Sequence, residues 1–245
     1  MTTKTDNIFS SPQSPAPFKF DDSVAEVFPD MIKRSVPSYP EIIQNIAKFA
    51  AKFVQPNTHC YDLGCSLGAA SLAMSSGIDA MNTPSVKIIG VDNSQAMLER
   101  CQHHVNAFKH QTEIELKHSD IQNMLIDNAS MVVLNFTLQF IAKDDRQGLL
   151  QSIYDGLNPG GLLILSEKIS FEDNKVDELV IDLHHQFKKD NGYSDLEVSQ
   201  KRNALENVLL PDSLKLHTKR LESIGFTSVS CWLQHYNFVS LLAIK

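Results

Sequence analysis

The sequence predicts an α/β fold built on a mostly parallel, seven-stranded sheet. Apolar runs typical of strands alternate with helix-like segments between residues 57 and 166. Such alternation predicts a parallel sheet that is covered by helices on both faces. Near the end of the chain, two further strand-like runs, 226–233 and 237–244, flank a polar turn. These two runs predict an antiparallel C-terminal hairpin that closes the sheet.

The first 54 residues precede this alternation and differ from it in composition. Residues 1–19 are rich in Ser, Thr and Pro, which predicts a flexible arm. Residues 20–54 predict a helical cap whose first half is interrupted by prolines. Its second half, 40–54, has apolar residues at a nearly helical spacing. A segment of this kind often covers a pocket, so we expect it to lie over a ligand site.

Five strands and three helices form the predicted alternating region. The sequence Asn-Pro-Gly-Gly at residues 158–161 predicts a helix stop followed by a turn. The predicted strands cover residues 57–63, 86–91, 113–117, 130–135 and 161–166. The helices that alternate with them cover residues 67–76, 94–109 and 144–157.

Residues 168–222 interrupt the alternation and predict a helical insertion. Helical patterns cover 177–191 and 197–207, and the turn-forming sequence Asn-Gly-Tyr-Ser separates them. Two helices inserted late in a sheet could form a lid or contact a second subunit. We expect residues 20–245 to form a single domain that carries both the cap and this insertion.

The turn after the first predicted strand is the most informative local pattern. Gly64, Cys65 and Ser66 lie between that strand and the next helix, where a glycine lets a ligand approach the backbone closely. The helix behind the turn directs unpaired N–H groups toward such a ligand. The second strand ends at Asp92, whose carboxylate can accept hydrogen bonds from both hydroxyls of a ribose. This pair predicts a nucleoside site. The alternative is that the glycine turn only permits tight packing and that Asp92 caps the next helix.

Further polar residues follow other strands at the same predicted edge of the sheet. Asn93 would help Asp92 to hold the ribose, and Asp120 with Ile121 would contact the amino group and ring face of adenine. Asn135 would form a hydrogen bond across the reaction centre. Because ligands of such sheets bind at the carboxyl ends of the strands, we expect these residues to share one crevice. Asp120 and Asn135 could instead only cap local turns.

Composition and motifs disfavour several kinds of ligand and location. Ser66 stands where a dinucleotide-binding turn has its second glycine, and no P-loop Lys-Ser or Lys-Thr follows the turn. The net charge of −7 disfavours non-specific binding to nucleic acids. The Cys and His residues lack metal-ligand spacing, so we expect no metal. No apolar stretch approaches the roughly 20 residues that span a bilayer. A signal-peptide pattern is also lacking, so we expect a cytoplasmic protein without membrane contact.

These features resemble the S-adenosylmethionine-dependent methyltransferases of the Rossmann-like class over roughly residues 55–170 and the terminal hairpin. A closer resemblance, from Phe20 onward, is to the carboxy-S-adenosylmethionine synthase family. It implies a Rossmann-like methyltransferase fold and binding of S-adenosyl-L-methionine as a substrate. The segments that carry the closer resemblance are Phe28-Pro29-Asp30-Met31, Ser35-Val36-Pro37, Tyr61-Asp62-Leu63-Gly64-Cys65-Ser66, Asn135-Phe136-Thr137-Leu138-Gln139-Phe140, Asp182-Leu183-His184-His185-Gln186-Phe187-Lys188 and Glu197-Val198-Ser199-Gln200-Lys201-Arg202.

The resemblance also implies an unusual reaction for this fold. Members of the family combine S-adenosyl-L-methionine with prephenate and release carboxy-S-adenosyl-L-methionine and phenylpyruvate. In the associated mechanism, prephenate loses carbon dioxide and a hydroxide, the hydroxide deprotonates the sulfonium methyl group, and the resulting ylide captures the carbon dioxide. A tRNA carboxymethyltransferase then uses the product to modify the wobble uridine of certain tRNAs. We therefore expect no direct tRNA binding by this chain.

Two more site residues are implied by the family resemblance. Arg202 is implied as the cation that binds the new carboxylate, either in its own subunit or across the expected homodimer. Alternatively, Arg202 could be an ordinary solvated residue on a helix. Tyr39 is implied as a ligand contact, although it could simply pack within the cap. Two other hypotheses stay open, namely a conventional methyltransferase acting on a small acid or tRNA and a non-enzymatic nucleoside-binding protein.

Overall fold

In a computed structural model of the chain, which describes residues 4–12, 14 and 16–245, seven strands form one sheet. The strands are β1 (His59–Leu63), β2 (Lys87–Asp92), β3 (Glu113–His118), β4 (Ala129–Asn135), β5 (Leu157–Lys168), β6 (Ser228–His235) and β7 (Phe238–Ile244). Their order across the sheet is β3-β2-β1-β4-β5-β7-β6. β1 to β5 pair in parallel, whereas β7 is antiparallel to both β5 and β6. The predicted sheet with its antiparallel C-terminal hairpin is confirmed.

Helices cover both faces of this sheet. They are α1 (Asp22–Ser35), α2 (Tyr39–Phe53), α3 (Ala69–Met81), α4 (Gln95–Ala107), α5 (Arg146–Gly156), α6 (Asn174–Asp190), α7 (Asp195–Leu205) and α8 (Leu214–Ile224). One core cluster joins α2 and α3 to one face of the sheet through residues such as Ile46 and Met74. The other cluster joins α5 and α8 to the opposite face through Leu150 and Leu221. Both faces of the sheet are apolar, as is usual for parallel strands that helices cover on both sides.

The chain reverses its direction of progress across the sheet at β1. β2 lies on one side of β1 and β4 lies on the other. Loops that leave these strands at their carboxyl ends therefore diverge and open a crevice, which is the usual ligand site of such sheets. The cap formed by α1 and α2 and the inserted helices α6 and α7 border this crevice.

Three features differ in detail from the sequence analysis. α1 continues through Pro29 instead of being interrupted there, because burial of its apolar face in the Val24 and Met31 cluster offsets one lost backbone hydrogen bond. β5 begins at Leu157, immediately after α5, and a register shift accommodates the predicted turn at 158–161. α8 was not predicted, since the buried polar residue His217 interrupts the apolar spacing of its inner face.

The N-terminal segment, predicted as a flexible arm, packs in part against the cap and α7. Asp6 is only 2% exposed, and its carboxylate accepts a hydrogen bond from the hydroxyl of Tyr193. The backbone of Asp6 also donates to Asp30 (2.7 Å) and accepts from Arg34 (3.0 Å). Residues 1–3, 13 and 15 of this predicted arm lie outside the described residues.

The contact between α2 and α3 is close enough to require a glycine. α3 passes through Gly77, beyond the end predicted from the sequence, and a Cβ at this position would overlap the backbone carbonyl of Ala47. Backbone atoms cannot move aside as the end of a flexible side chain can. The helix pair that supports one face of the sheet thus depends on this residue.

We expect Gly77→Ala to lower the free energy of unfolding by about 1–3 kcal/mol, the usual cost of overpacking. The matched control is Gly148→Ala in α5, where a Cβ meets no atom within 4 Å. This control should be neutral or stabilising by up to about 1 kcal/mol, because alanine favours the helix. Urea unfolding of both variants measures the difference, and equal stability of the two would contradict the packing argument.

Candidate active site

A cavity of about 490 Å³ occupies the crevice at the carboxyl ends of the strands. Residues from the cap, the strand-end loops and the inserted helices all contribute to its wall. The sequence-predicted residues on this wall are Tyr39, Gly64, Cys65, Ser66, Asp92, Asn93, Asp120, Ile121 and Asn135. The structure therefore brings together every predicted site residue except Arg202.

The glycine turn is joined to the neighbouring strand by its backbone. The N–H groups of Gly64 and Cys65 donate to the carbonyl of Val91 at 2.8 and 2.9 Å. Gly64 has a φ of 82°, and a Cβ there would overlap the side chain of Thr137. The turn needs glycine for both reasons, because the conformation is left-handed and the loop after β4 packs directly against it.

Asp92 fixes the relative positions of two loops. One carboxylate oxygen accepts from the N–H of Ser66 at 2.8 Å, and the other accepts from the N–H of Ser94 at 2.8 Å. Burial raises the pKa of Asp92, while these backbone hydrogen bonds oppose the rise. Ser94 caps α4 through its own hydroxyl, which accepts from Met97. The carboxylate of Asp92 thus lines the cavity in a fixed orientation, suited to accepting hydrogen bonds from ribose.

The predicted adenine contacts Asp120 and Ile121 lie beside Asn93, which was predicted to hold the ribose. The side-chain amide of Asn93 donates to the carboxylate of Asp120 at 2.8 Å. Asp120 makes no side-chain capping bond to the short helical turn that follows it. Ile121 is buried and also contacts the cavity. The arrangement offers a carboxylate beside an apolar surface, as recognition of an adenine amino group and ring requires.

Asn135 presents an acceptor in the middle of the cavity wall. Its Oδ1 is buried and accepts no hydrogen bond from the residues that the structure describes. Buried polar atoms usually have partners, so this oxygen is available to a ligand. The next residue, Phe136, has a φ of 64°, and its ring lies 6.4 Å from that of Tyr39. The strained turn therefore directs the ring of Phe136 toward the cap.

A buried polar network supports the loop that carries Asn135. Glu167 accepts from the backbone of Leu138 at 3.0 Å, and burial raises the pKa of Glu167 to about 8. Arg146 is fully buried and donates to Asp212 at 2.7 Å and to the carbonyl of Ile141 at 3.0 Å. Together these bonds fix the loop at two positions, Leu138 and Ile141.

Sequence reasoning missed a second, basic part of the cavity. Lys168, His184, Lys188 and Lys201 all line it. The Nε2 atom of His184 lies 2.8 Å from the carbonyl oxygen of Ser35, and burial lowers the pKa of this histidine to about 2. The position of Lys168 at the end of a strand was a usable signal. The helical pattern around Lys188 and Lys201 was not a usable signal, because such a pattern is also typical of a solvated helix face.

Arg202 lies outside this cavity. Its side chain is exposed and lines a separate shallow pocket together with Asp182, His185 and Asp195. The preceding residue, Lys201, faces the cavity, and successive residues of a helix point in different directions. Within one chain, Arg202 and the predicted nucleoside site are therefore not brought together.

No group of three or more His, Cys, Asp and Glu side chains in the described ranges could hold a metal ion. No helix in that part of the chain has the length and apolar character needed to cross a membrane.

Comparisons with known proteins identify relatives of the whole chain. The family described as "Methyltransferase domain" matches residues 61–161. The carboxy-S-adenosyl-L-methionine synthase of Histophilus somni is 56% identical over 241 residues, which cover 98% of this chain and 99% of that protein. The protein of the same name from Colwellia psychrerythraea is 57% identical over 242 residues, 98% of each chain.

A solved structure supports the fold independently of these relatives. Human N-acetylserotonin methyltransferase in complex with SAM superposes with a TM-score of 0.58 at 16% identity. The match covers 91% of this chain and 55% of the human protein. The Rossmann-like methyltransferase fold and the use of S-adenosyl-L-methionine are confirmed by these comparisons together.

We expect Asp92→Asn to raise the Kd for S-adenosyl-L-methionine about tenfold or more, since hydrogen bonds to a charged group contribute about 1.5–3 kcal/mol. The amide cannot accept from both Ser66 and Ser94 and still orient the ribose as a carboxylate does. Isothermal titration calorimetry measures the effect. Asp155→Asn on the exposed face of α5 is the control. Equal affinities of the two variants for S-adenosyl-L-methionine would show that Asp92 does not bind the ribose.

Proposed function

The chain belongs to the carboxy-S-adenosyl-L-methionine synthase family, and we propose that it converts S-adenosyl-L-methionine and prephenate to carboxy-S-adenosyl-L-methionine and phenylpyruvate. It is a transferase for which S-adenosyl-L-methionine is a substrate. The identification of prephenate as the second substrate goes beyond the family assignment. It is supported by the chemistry of the cavity beyond the nucleoside site.

One observation carries the choice of reaction, namely that no described side chain on the cavity wall is basic enough to deprotonate a sulfonium methyl group. The carboxylate of Asp62 accepts from Ser71 at 2.6 Å, and Asp92 is engaged with two loops. His184 is neutral and weakly basic because burial lowers its pKa. A reaction in which the second substrate releases hydroxide needs no such side chain. Carbon dioxide and hydroxide leave prephenate, water forms from the methyl proton, and the ylide bonds to the carbon dioxide.

The proposed product requires a cation for its new carboxylate. We assign this role to Arg202, because a guanidinium binds a carboxylate through two parallel hydrogen bonds. Arg202 does not line the cavity of its own chain. We therefore propose that it reaches the cavity of a neighbouring subunit in a homodimer.

An exposed apolar stripe on α6 supports a dimer in this region. Val176, Leu179 and Leu183 are 41%, 59% and 41% exposed, and they recur on one side of the helix. Leu196 at the start of α7 is 40% exposed as well. Contact with a second copy would bury this stripe and would bring another Arg202 close to the inserted helices.

The proposed product carries a transferable carboxymethyl group on its sulfonium centre. We propose that a separate tRNA carboxymethyltransferase uses it to form 5-oxyacetic acid on the wobble uridine. This chain need not bind tRNA itself, consistent with its net charge of −7. A cytoplasmic location, where tRNA and both substrates are available, is part of the same proposal.

Purified protein incubated with S-adenosyl-L-methionine and prephenate should yield a nucleoside heavier by one carboxyl group, together with phenylpyruvate. Mass spectrometry detects the first product, and ultraviolet absorbance detects the second. The alternative, a conventional methyltransferase acting on a small acid or tRNA, would instead produce S-adenosylhomocysteine and a methylated acceptor. Formation of that pair without the heavier nucleoside would reject the proposed reaction.

We expect Arg202→Leu to abolish most carboxylation while the protein still binds S-adenosyl-L-methionine. Mixing it with Asp92→Ala tests whether Arg202 acts across a dimer. If it does, the reassociated mixture should regain about a quarter of wild-type activity, since half of the dimers are mixed and each contains one intact site. If a mixture that is shown to exchange subunits regains no activity, Arg202 acts in its own subunit.

A further inference from the structure

Three lysine side chains lie at the end of the cavity that is distant from the ribose site. Lys168 ends β5, whereas Asp92 ends β2, and β1 and β4 lie between these strands. Neighbouring strands are about 4.8 Å apart, so the two ends of the cavity are separated by roughly 14 Å across the sheet. Lys188 from α6 and Lys201 from α7 approach the Lys168 side.

Two of these lysines lack a neutralising partner. Lys201 donates to the hydroxyl of Ser35 at 3.0 Å and lies 3.6 Å from the carboxylate of Asp6. Lys188 is only 7% exposed, yet its ammonium group forms no hydrogen bond or ion pair with the described residues. The ammonium group of the half-buried Lys168 also forms no hydrogen bond or ion pair with the described residues, although the more distant charge of Asp177 acts on it. Buried cations are normally paired, so this part of the cavity is suited to binding an anion.

Electrostatic effects on these lysines agree with their geometry. Burial, together with the positive charges of Lys168 and Lys201, lowers the pKa of Lys188 to about 7. Burial also lowers the pKa of Lys201 to about 8, although Asp6 opposes that change. An anion bound among them would favour the charged form of each lysine, because opposite charges stabilise one another.

Aromatic rings line the cavity beside the lysines. The ring of Phe136 lies 5.8 Å from that of Phe238, and the latter lies 4.8 Å from the imidazole of His184. Tyr39 faces Phe136 from the cap. A ligand for this region should therefore combine an unsaturated or apolar ring with more than one negative charge.

We propose that Lys168, Lys188 and Lys201 bind the carboxylates of a ring-bearing dianionic cosubstrate, and that Lys188 is the main determinant of its affinity. This assignment rests on the proposed function, in which prephenate is the dianion. Asp6 partly neutralises Lys201 and Asp177 acts on Lys168, whereas no carboxylate of the described residues acts on Lys188. The aromatic rings pack against the ring of the same ligand.

Steady-state kinetics of Lys188 variants test the proposal. Lys188→Met should raise the KM for prephenate about tenfold or more, the scale expected when a charge-assisted hydrogen bond is lost. Its Kd for S-adenosyl-L-methionine should stay within about twofold of the wild-type value, because the nucleoside site is not altered. Lys188→Arg keeps the charge and should restore much of the affinity. Lys219→Met, an exposed position on α8, is the matched control. An unchanged KM for Lys188→Met would overturn the assignment.

A binding measurement separates this proposal from the proposed reaction. Prephenate is titrated calorimetrically into protein saturated with S-adenosylhomocysteine, which has no transferable methyl group. If prephenate binding depends on Lys188 but incubation with S-adenosyl-L-methionine and prephenate gives no carboxylated product, the anion site is supported and the proposed reaction is rejected. Product formation with equal binding by wild type and Lys188→Met would reject the anion site and retain the reaction.

Thermal unfolding of the ligand-free protein gives an independent readout. Lys188→Met replaces an unpaired buried cation with an apolar side chain of similar length, so its Tm should rise by about 2–4 °C or more. Lys219→Met should leave the Tm unchanged. An unchanged or lower Tm for Lys188→Met would contradict the presence of an unneutralised charge in the empty cavity.

Discussion

The geometry of the cavity depends on the hydrogen bonds that join the loop after β1 to the end of β2. Val91 accepts from two consecutive N–H groups of that loop, and Asp92 accepts from a third at Ser66. These bonds fix one wall of the crevice that the reversal of strand order opens. Gly64 completes the constraint, because only a residue without a Cβ lets the loop after β4 pack against this junction. The glycine turn and the Asn135 loop are thus held as one rigid surface.

The cavity combines two opposite electrostatic environments. Carboxylates dominate the end at β2 and β3, where Asp92 and Asp120 lie, while lysines dominate the end near β5. S-adenosyl-L-methionine carries a positively charged sulfonium group, and prephenate, the proposed second substrate, is a dianion. Placing a cation and an anion side by side lowers the electrostatic cost of removing each from water. In the proposed reaction, the same arrangement would hold the methyl group next to the departing carbon dioxide before the carbon dioxide diffuses away.

Local sequence patterns could predict the sheet and the nucleoside end of the site, because both depend on short-range rules. Strand ends, a glycine turn and an acidic residue after the second strand are sufficient to place Gly64 and Asp92 at one edge. The basic end could not be predicted in this way. Lys188 and Lys201 lie on polar helices, and their orientation is decided by tertiary packing against the cap. The position of Arg202 outside the cavity of its own chain could not be predicted either, and the proposed contact with a second chain is not described by any pattern within one chain.

The burial of Asp6 has a consequence for how the protein is made. Its carboxylate is bonded to Tyr193 and lies beside Lys201, so the N-terminal segment contacts residues that are far away in the sequence. A polypeptide leaves the ribosome N-terminus first, and early segments can fold before later ones appear. Here the first residues must wait for most of the chain before they find their partners. The sheet can therefore assemble as synthesis proceeds, while the finished cavity forms only after α7 has emerged.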